Sequence, residues 1–191
     1  MKVIDFCQHF DQSLWNNVLK KIRLSNDPLK KNYLNLTPND FVCLPVLIRN
    51  EEIICFSGLQ INESKWGKGI GRINARMWID PSHRHLGLGK MENSDKFFNT
   101  KYLLPHQIEK SKEFNLDTLF ISREGNYRKF MEKYCDLILS NTGCQFKLLD
   151  NCYNVCGDIP SIPDSCKQLI AWFSFSNNYE IWDHQMGKHR L

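Results

Sequence analysis

The segment from Met77 to Lys90 constrains the fold of this 191-residue chain more than any other. It is an apolar strand that runs into a proline turn and then into a glycine-spaced loop opening a helix, with the sequence Met-Trp-Ile-Asp-Pro-Ser-His-Arg-His-Leu-Gly-Leu-Gly-Lys. Glycines let the backbone approach an anion without interference from a Cβ atom, and a helix start offers unpaired N–H donors. The segment therefore predicts a phosphate-binding loop between a strand and a helix.

The glycine spacing distinguishes this segment from two common phosphate-binding loops. Arg84, Gly87 and Gly89 form the pattern Arg-x-x-Gly-x-Gly, which lacks the lysine-hydroxyl pair of a Walker loop and the longer glycine fingerprint of dinucleotide folds. A second glycine-rich stretch at residues 66–71 is followed by alternating apolar and polar residues up to Ile79, so it predicts a connection into a strand. Only the stretch from Arg84 to Gly89 is expected to precede a helix and bind phosphate.

Apolar periodicity predicts six strands and four helical stretches over the chain. The first half of the chain predicts helices over residues 11–24 and 27–34 and then strands over 41–48, 53–61 and 72–79, with Asp11 or Ser13 as the cap of the first helix. A helical stretch begins at residue 89, and Pro105 kinks or splits it. A strand over 116–122, a helix from residue 125 and strands over 146–149 and 168–175 complete the chain. Pro45 argues that the first of these strands is an edge strand or contains a bulge.

The loop and this order of elements resemble the Gcn5-related N-acetyltransferase (GNAT) superfamily, whose pyrophosphate loop follows a strand that ends in an apolar-x-Pro turn. The resemblance covers nearly the whole chain and implies one domain over residues 1–191. It implies an α/β fold with a mixed, mostly antiparallel central sheet of about six to seven strands flanked by helices. The interval from Gly89 to Leu116 is longer than the family's usual single helix, so a helical insertion is expected around residues 100–114.

The resemblance also implies an enzyme, an acyl-CoA-dependent N-acyltransferase. Acetyl-CoA is the expected donor, although another acyl-CoA would suit the same loop, and an amine acceptor would attack directly in a ternary complex. Backbone N–H groups at the helix start would bind the pyrophosphate, and strand ends before and after the loop helix would line the pantetheine arm. The implied coenzyme-binding residues are Trp78, Ile79, Arg84, His85, Leu86, Gly87, Leu88, Gly89, Lys90, Ser122 and Asn126.

Many members of the family use a tyrosine on the helix after the last of these strands to protonate the leaving thiolate. Tyr134 matches that position with a separation one residue longer than usual, and Tyr127 is the alternative. Glu124 is the expected general base on the acceptor side. Asp80, His83 or an ordered water are the alternatives for that role.

Composition leaves the acceptor open. The net charge of +4 is too small to require a nucleic-acid partner, and the basic cluster at Lys20, Lys21 and Arg23 is expected to be a solvated helix surface. Two other functions remain open, a GNAT-fold enzyme that modifies a nucleic-acid base or tRNA, and a catalytically inactive module that binds a partner protein.

The chain has no apolar run long enough to span a membrane, and a cytoplasmic protein is expected.

Eight cysteines are expected to be free thiols, because the chain is neither small nor secretory in appearance. Cys144, Cys152, Cys156 and Cys166 lie close together in sequence without the paired Cys-x-x-Cys spacing of structural zinc sites. No metal site is predicted.

Overall fold

The structure is a computed structural model that describes residues 1–26, 30–63, 68–83, 102–123, 145–152 and 168–174. The α-helices and strands of the described residues, in chain order, are β1 Lys2–Asp5, α1 Gln12–Leu24, β2 Pro45–Arg49, β3 Glu52–Ile61, β4 Ile70–Ile79, α2 Leu104–Glu113, β5 Asp117–Arg123, β6 Gln145–Cys152 and β7 Gln168–Ser174. Short 3-10 helices lie at Lys30–Asn32, Pro38–Asp40 and Pro81–His83. The strands form one sheet in the order β1-β2-β3-β4-β5-β7-β6. The predicted α/β class with a sheet of six to seven strands is confirmed.

The contacts of the chain divide it into two compact units. Unit 1 consists of Met1–Gln60 and Ile73–Lys110, and unit 2 consists of Ile61–Arg72 and Ser111–Leu191. The boundary runs through β4, whose first three residues belong to unit 2. In unit 2, β5 pairs with β7 and β7 pairs with β6, both antiparallel.

Helix α1 begins where the sequence predicts. The Asp11 side chain accepts hydrogen bonds from the backbone N–H groups of Ser13 and Leu14, so it satisfies donors that the first helical turn leaves unpaired. Trp15, Val18 and Ile22 follow at spacings of three and four and are all buried. One face of α1 therefore packs into the core of unit 1.

Strand β1 is the strand that the sequence analysis missed. It pairs antiparallel with β2 from Lys2 to Asp5, and it carries only two apolar residues, too few for a recognisable alternation. Because β1 covers one side of β2, the prediction of an edge strand around Pro45 is wrong. Pro45 is instead the first residue of β2, and a register shift between Leu47 and Ile48 supplies the predicted bulge.

The turn between β2 and β3 is a tight hairpin. Asn50 and Glu51 have φ of 50° and 60°, so both lie in the left-handed region. Two successive residues of this kind match the twist of the flanking antiparallel strands. The turn therefore holds β2 and β3 in register.

Among the described residues of unit 1, the buried apolar side chains include two clusters. The larger cluster contains α1 and the buried side chains of Phe56 and Trp78. The smaller contains Leu47, Ile79 and Leu103. Neighbouring residues such as Trp78 and Ile79 enter different clusters because successive side chains of a strand point to opposite faces.

Gly58 in β3 has a steric reason to be glycine. A Cβ atom built there would come into overlap with the Phe41 ring and lie 2.9 Å from the carbonyl oxygen of Cys43. Phe41 is buried, so its ring has little room to retreat. The absence of a side chain at Gly58 lets the segment before β2 close over β3.

Helix α2 has Pro105 near its start. Residues 102 and 103 are π-helical, and the α-helix spans Leu104–Glu113, so the proline lies in the first α-helical turn, just after a change of helix type. The predicted kink or split of the helical stretch at Pro105 stays a prediction, because the residues before 102 lie outside the described ones. Residues 84–101 lie outside the described residues, and the helical insertion around residues 100–114 stays a prediction.

Candidate functional site

The carboxyl end of β4 is the described part of the predicted coenzyme site. Trp78 is 2% exposed and stacks on Phe56 with ring centroids 5.6 Å apart and an interplanar angle of 23°. Ile79 is buried in the other cluster beside Leu103. Since both side chains are occupied by the core, any contact of these residues with a coenzyme has to come from their backbone groups.

A polar turn follows β4 at once. Asp80 Oδ1 accepts hydrogen bonds from the backbone N–H of Ser82 at 2.9 Å and from its hydroxyl at 2.6 Å. The Asp80 backbone N–H donates to the carbonyl oxygen of Ile54 on β3 at 2.9 Å, and His83 N–H donates to the Asp80 carbonyl at 2.8 Å. The chain therefore leaves the sheet in a fixed direction immediately before Arg84.

Lys21 of α1 reaches this turn from the adjacent helix. Its Nζ lies 3.0 Å from Asp80 Oδ2 and 2.8 Å from Glu52 Oε2. The Asp80 side chain is 8% exposed, whereas the Glu52 side chain is 59% exposed. The Asp80 pair is the more protected from solvent, so it contributes more to stability than the Glu52 pair. Lys20 and Arg23 are exposed, as expected for a solvated helix surface, whereas the Lys21 side chain, 37% exposed, borders the buried stripe of α1 and is held by these two carboxylates.

These contacts change the chemistry of Asp80. Burial alone would raise the pKa of its carboxyl, but hydrogen bonds from Ser82 and Lys21 outweigh burial and hold the pKa below its ordinary value of 3.8. A carboxylate with a lowered pKa and three donors is a weak proton acceptor at neutral pH. The arrangement argues against Asp80 as the general base. The Nδ1 atom of His83 lies 2.9 Å from the Ser82 hydroxyl oxygen, and the role of His83 as an alternative base stays a prediction.

The lowered pKa of Asp80 predicts an acid-dependent loss of stability. A group with a lowered folded pKa stabilises the fold above its ordinary pKa, and this contribution disappears as the pH falls through the folded value. Asp80→Asn should lower the free energy of unfolding by about 1–3 kcal/mol at pH 7. The difference between wild type and variant should shrink as the pH falls below about 4. Urea unfolding of both proteins at a series of pH values measures this difference in the free energy of unfolding.

Glu52→Gln is the matched control for this prediction, because it removes the exposed partner of the same lysine. Its effect should stay within about 0.5 kcal/mol at neutral pH. An Asp80→Asn difference that stays constant from pH 7 to pH 3 would contradict the assignment of the Asp80 carboxylate as the titrating group.

The middle of β4 is irregular and is held by a buried side chain of α2. Asn74 and Arg76 have φ of 53° and 55°, a conformation that costs roughly 1–2 kcal/mol for a residue with a side chain. The Gln107 carboxamide, which is fully buried, accepts the Asn74 N–H at 2.7 Å and donates to the Ser57 hydroxyl at 2.9 Å. Gln107 thus joins α2 to both β3 and β4.

Within unit 2, the first residues of β4 run parallel to β5. Ile70, Gly71 and Arg72 face Asp117, Thr118 and Leu119 in a parallel register. The other strand pairs with a described register, β1/β2, β2/β3, β5/β7 and β6/β7, are antiparallel. A parallel pair requires a crossover connection. The chain between β4 and β5 contains the glycine-spaced sequence from Arg84 to Lys90 and helix α2.

Most of the other predicted site residues lie outside the described residues. These are Arg84, His85, Leu86, Gly87, Leu88, Gly89, Lys90, Glu124, Asn126 and Tyr134, together with the alternative Tyr127. Ser122 lies on β5, as expected for the strand after the loop helix. The roles of all these residues stay predictions.

The described cysteines agree with the expectation of free thiols. Cys7, Cys43 and Cys55 form no disulfide. Burial raises the pKa of the Cys7 thiol to about 12, with the Asp5 carboxylate adding to the effect, so the thiol is neutral at physiological pH. Of the four cysteines near the carboxyl end, only Cys152 is described, on β6.

Two residues of this region were missed or misassigned by sequence reasoning. Lys21 looked like an ordinary helix lysine, and Gln107 drew no attention in a polar stretch. A weak signal was present for Lys21, because it lies three residues after Val18 and next to Ile22, at the border of the apolar stripe. For Gln107 only the tertiary contacts reveal the role.

Comparison with known proteins gives similarity at the level of structure alone. No family model matches the sequence, and no curated protein matches it. Among solved structures, the chain is similar to the ribosomal-protein-S18-alanine N-acetyltransferase of Escherichia coli. That match has 13% identity and a TM-score of 0.49, and it covers 91% of this chain and 92% of that one.

Two further solved structures are similar over most of their length. A GNAT-family acetyltransferase from Staphylococcus aureus Mu50 has 18% identity and a TM-score of 0.48, covering 90% of this chain and 98% of that chain. A Bacillus anthracis acetyltransferase in complex with acetyl coenzyme A has 19% identity and a TM-score of 0.42, and the match covers 74% of this chain and 69% of that chain. Of these three structures, the Staphylococcus aureus protein is named as a member of the GNAT family.

Proposed function

We propose that this chain is a GNAT-type N-acyltransferase that transfers an acetyl group from acetyl-CoA to an amine. The observation that supports this most is the position of the glycine-spaced segment. Arg84 to Lys90 follow β4 after the short turn at Asp80 to His83, and β4 begins parallel to β5. In mixed sheets, ligands bind beyond the carboxyl ends of parallel strands, near the start of the crossover helix.

The loop composition favours a diphosphate over other anions. The helix start predicted from the glycine spacing, with Arg84 before it and Lys90 after it, would provide several backbone donors between two cations. It has no lysine-hydroxyl pair to hold a nucleotide-bound magnesium ion. Coenzyme A has a diphosphate next to a long arm of amides, which backbone groups at a strand end can pair with. Trp78 and Ile79 have only backbone groups to offer for that purpose.

The proposed reaction is a direct aminolysis of the thioester. The acceptor nitrogen attacks the carbonyl carbon and forms the C–N bond, and the C–S bond then breaks. The nitrogen loses its proton to Glu124, and the departing thiolate takes the proton of the Tyr134 hydroxyl. The products are an amide and free coenzyme A. Asp80 has no proton-transfer role in this scheme because its carboxylate is held by Lys21 and Ser82.

Titration of the purified protein with acetyl-CoA in a calorimeter tests the proposal. Wild type should bind at tens of micromolar or more tightly. Gly87→Trp should abolish binding while the protein stays folded, because an indole side chain would fill the space that the diphosphate needs. Gly67→Trp, in the other glycine-rich stretch, is the matched control and should bind normally.

Turnover separates this proposal from its alternatives. Release of free thiol in the presence of small primary amines or peptide amino termini would support a small-molecule or protein acceptor. Release only with RNA would indicate a nucleic-acid acceptor. Binding of acetyl-CoA without release across a broad amine and RNA panel would indicate an inactive binding module. A folded wild-type protein that does not bind acetyl-CoA would contradict the proposal.

A further inference from the structure

A cavity of about 460 Å³ opens in unit 1 beside the first turns of α1. Its walls come from the turn after β1, from α1, and from the segment at residues 34–39. The volume lies in the range of small-molecule sites, about 300–1,000 Å³. All of the lining residues belong to the described part of the chain.

The lining is uncharged. Of its twelve residues, seven are apolar, four have neutral polar side chains, and the last is Cys7, whose thiol is neutral at physiological pH. Charged residues make up 24% of the chain, so about three would be expected among twelve. The nearby carboxylates are used elsewhere, since Asp5 accepts from Leu44 N–H and Asp11 caps α1.

One wall of the cavity is aromatic. The rings of Phe6 and Phe10 meet edge to face with centroids 5.6 Å apart, and Trp15 lies 6.0 Å from Phe6. Phe10 is 44% exposed, which is unusual for a large aromatic side chain. Rings arranged in this way can accept a further ring in an edge-to-face or offset contact.

The buried polar atoms of the walls are already paired within the protein. The Trp15 indole N–H donates to the Leu36 carbonyl at 3.3 Å. The Cys7 thiol donates to the Pro38 carbonyl at 3.4 Å. The interior therefore requires no hydrogen bond from an occupant, and the side chains of Gln12, Asn35 and Asn39 supply neutral polar groups where α1 and the 34–39 segment are exposed.

The turn after β4 is not part of the cavity lining. Lys21, which pairs with Asp80 in that turn, follows the lining residue Leu19 by two positions, so the two side chains point to different faces of α1.

From the uncharged lining, the aromatic wall and the internal pairing of its polar atoms, we infer that this cavity is a binding site for a small, uncharged aromatic molecule. Complementarity of charge selects the occupant, because an ionic group would lose its hydration without gaining an opposite charge. Burial of apolar surface drives binding. The inference does not depend on the proposed acyl transfer.

Ligand-observed saturation-transfer NMR with 2-naphthalenemethanol tests the inference, with 2-naphthoate and 2-naphthylmethylamine as charged analogues of the same ring. The alcohol should bind saturably at millimolar concentration or below, at least fivefold more tightly than either ion. Phe10→Ala should weaken binding at least fivefold. Phe114→Ala, which truncates another exposed aromatic outside the cavity, should leave it unchanged.

Asn35→Trp provides a second test that does not depend on truncation, because a large side chain at this exposed position would fill the cavity and should block binding. Absence of saturable binding by the alcohol would overturn the inference. Binding of either ion as tightly as the alcohol, or equal losses in Phe10→Ala and Phe114→Ala, would also overturn it.

Discussion

Replacing Trp78 with alanine should lower the free energy of unfolding by about 3–5 kcal/mol, the range for truncating a large buried aromatic. The residue is almost fully buried, and its ring stacks on Phe56, which in turn lies 5.2 Å from Trp15 between centroids. Truncation would leave a void where the sheet and α1 meet, because packed neighbours relax only in part. Chemical denaturation followed by circular dichroism measures the change.

Trp78→Phe is the informative comparison. The phenyl ring keeps the contact with Phe56, and it removes an indole N–H that is buried with no hydrogen-bond partner among the described residues. A buried donor without a partner costs about 1–3 kcal/mol, so its removal offsets part of the lost packing. The expected loss is about 2 kcal/mol or less. Equal losses for the two variants would contradict this account of the Trp78 environment.

Replacing Gln107 with methionine should lower the free energy of unfolding by about 2–4 kcal/mol, although the side-chain volume hardly changes. The substitution removes the acceptor of the Asn74 N–H and the donor to the Ser57 hydroxyl, both of which are buried. Asn74 also has a φ of 53°, so its conformation depends on the hydrogen bonds that surround it. Urea unfolding gives the stability, and amide exchange gives the protection of Asn74.

Gln60→Met is the matched control for this substitution. The Gln60 side chain donates to the Asp40 carbonyl at 3.2 Å in an exposed hydrogen bond, where water can replace the lost partner. Its effect should stay within about 0.5 kcal/mol. If Gln107→Met were equally mild and the Asn74 amide stayed protected, the carboxamide would not be what holds the middle of β4.

Local patterns predicted most of the elements because each had a short-range signal. The Asp11 cap and the spacing of Trp15, Val18 and Ile22 were sufficient for α1. The apolar runs at residues 41–48 and 53–61 were sufficient to predict β2 and β3. Strand β1 was missed because two apolar residues make no period, and it is held by its pairing with β2 instead.

Some features of the candidate site also had a local sequence signal, whereas others depend on tertiary contacts. The glycine spacing between Arg84 and Lys90 suggested an anion loop from residue types alone. The contacts of Lys21 with Asp80 and of Gln107 with Asn74 join residues that are 59 and 33 positions apart. Such pairs depend on how helices pack on the sheet, which no local pattern specifies. They alter the chemistry nonetheless, since they leave Asp80 a poor proton acceptor.

The division of the chain affects the order in which a nascent polypeptide can mature. Unit 1 ends at Lys110, so all of its residues have been synthesised before β5, β6 and β7 exist. Domains generally fold as units during synthesis, and amino-terminal ones come first. We therefore expect the core around Phe56 and Trp78 to assemble while the chain is still on the ribosome. Ile70 to Arg72 can pair with β5 only after that strand has been translated.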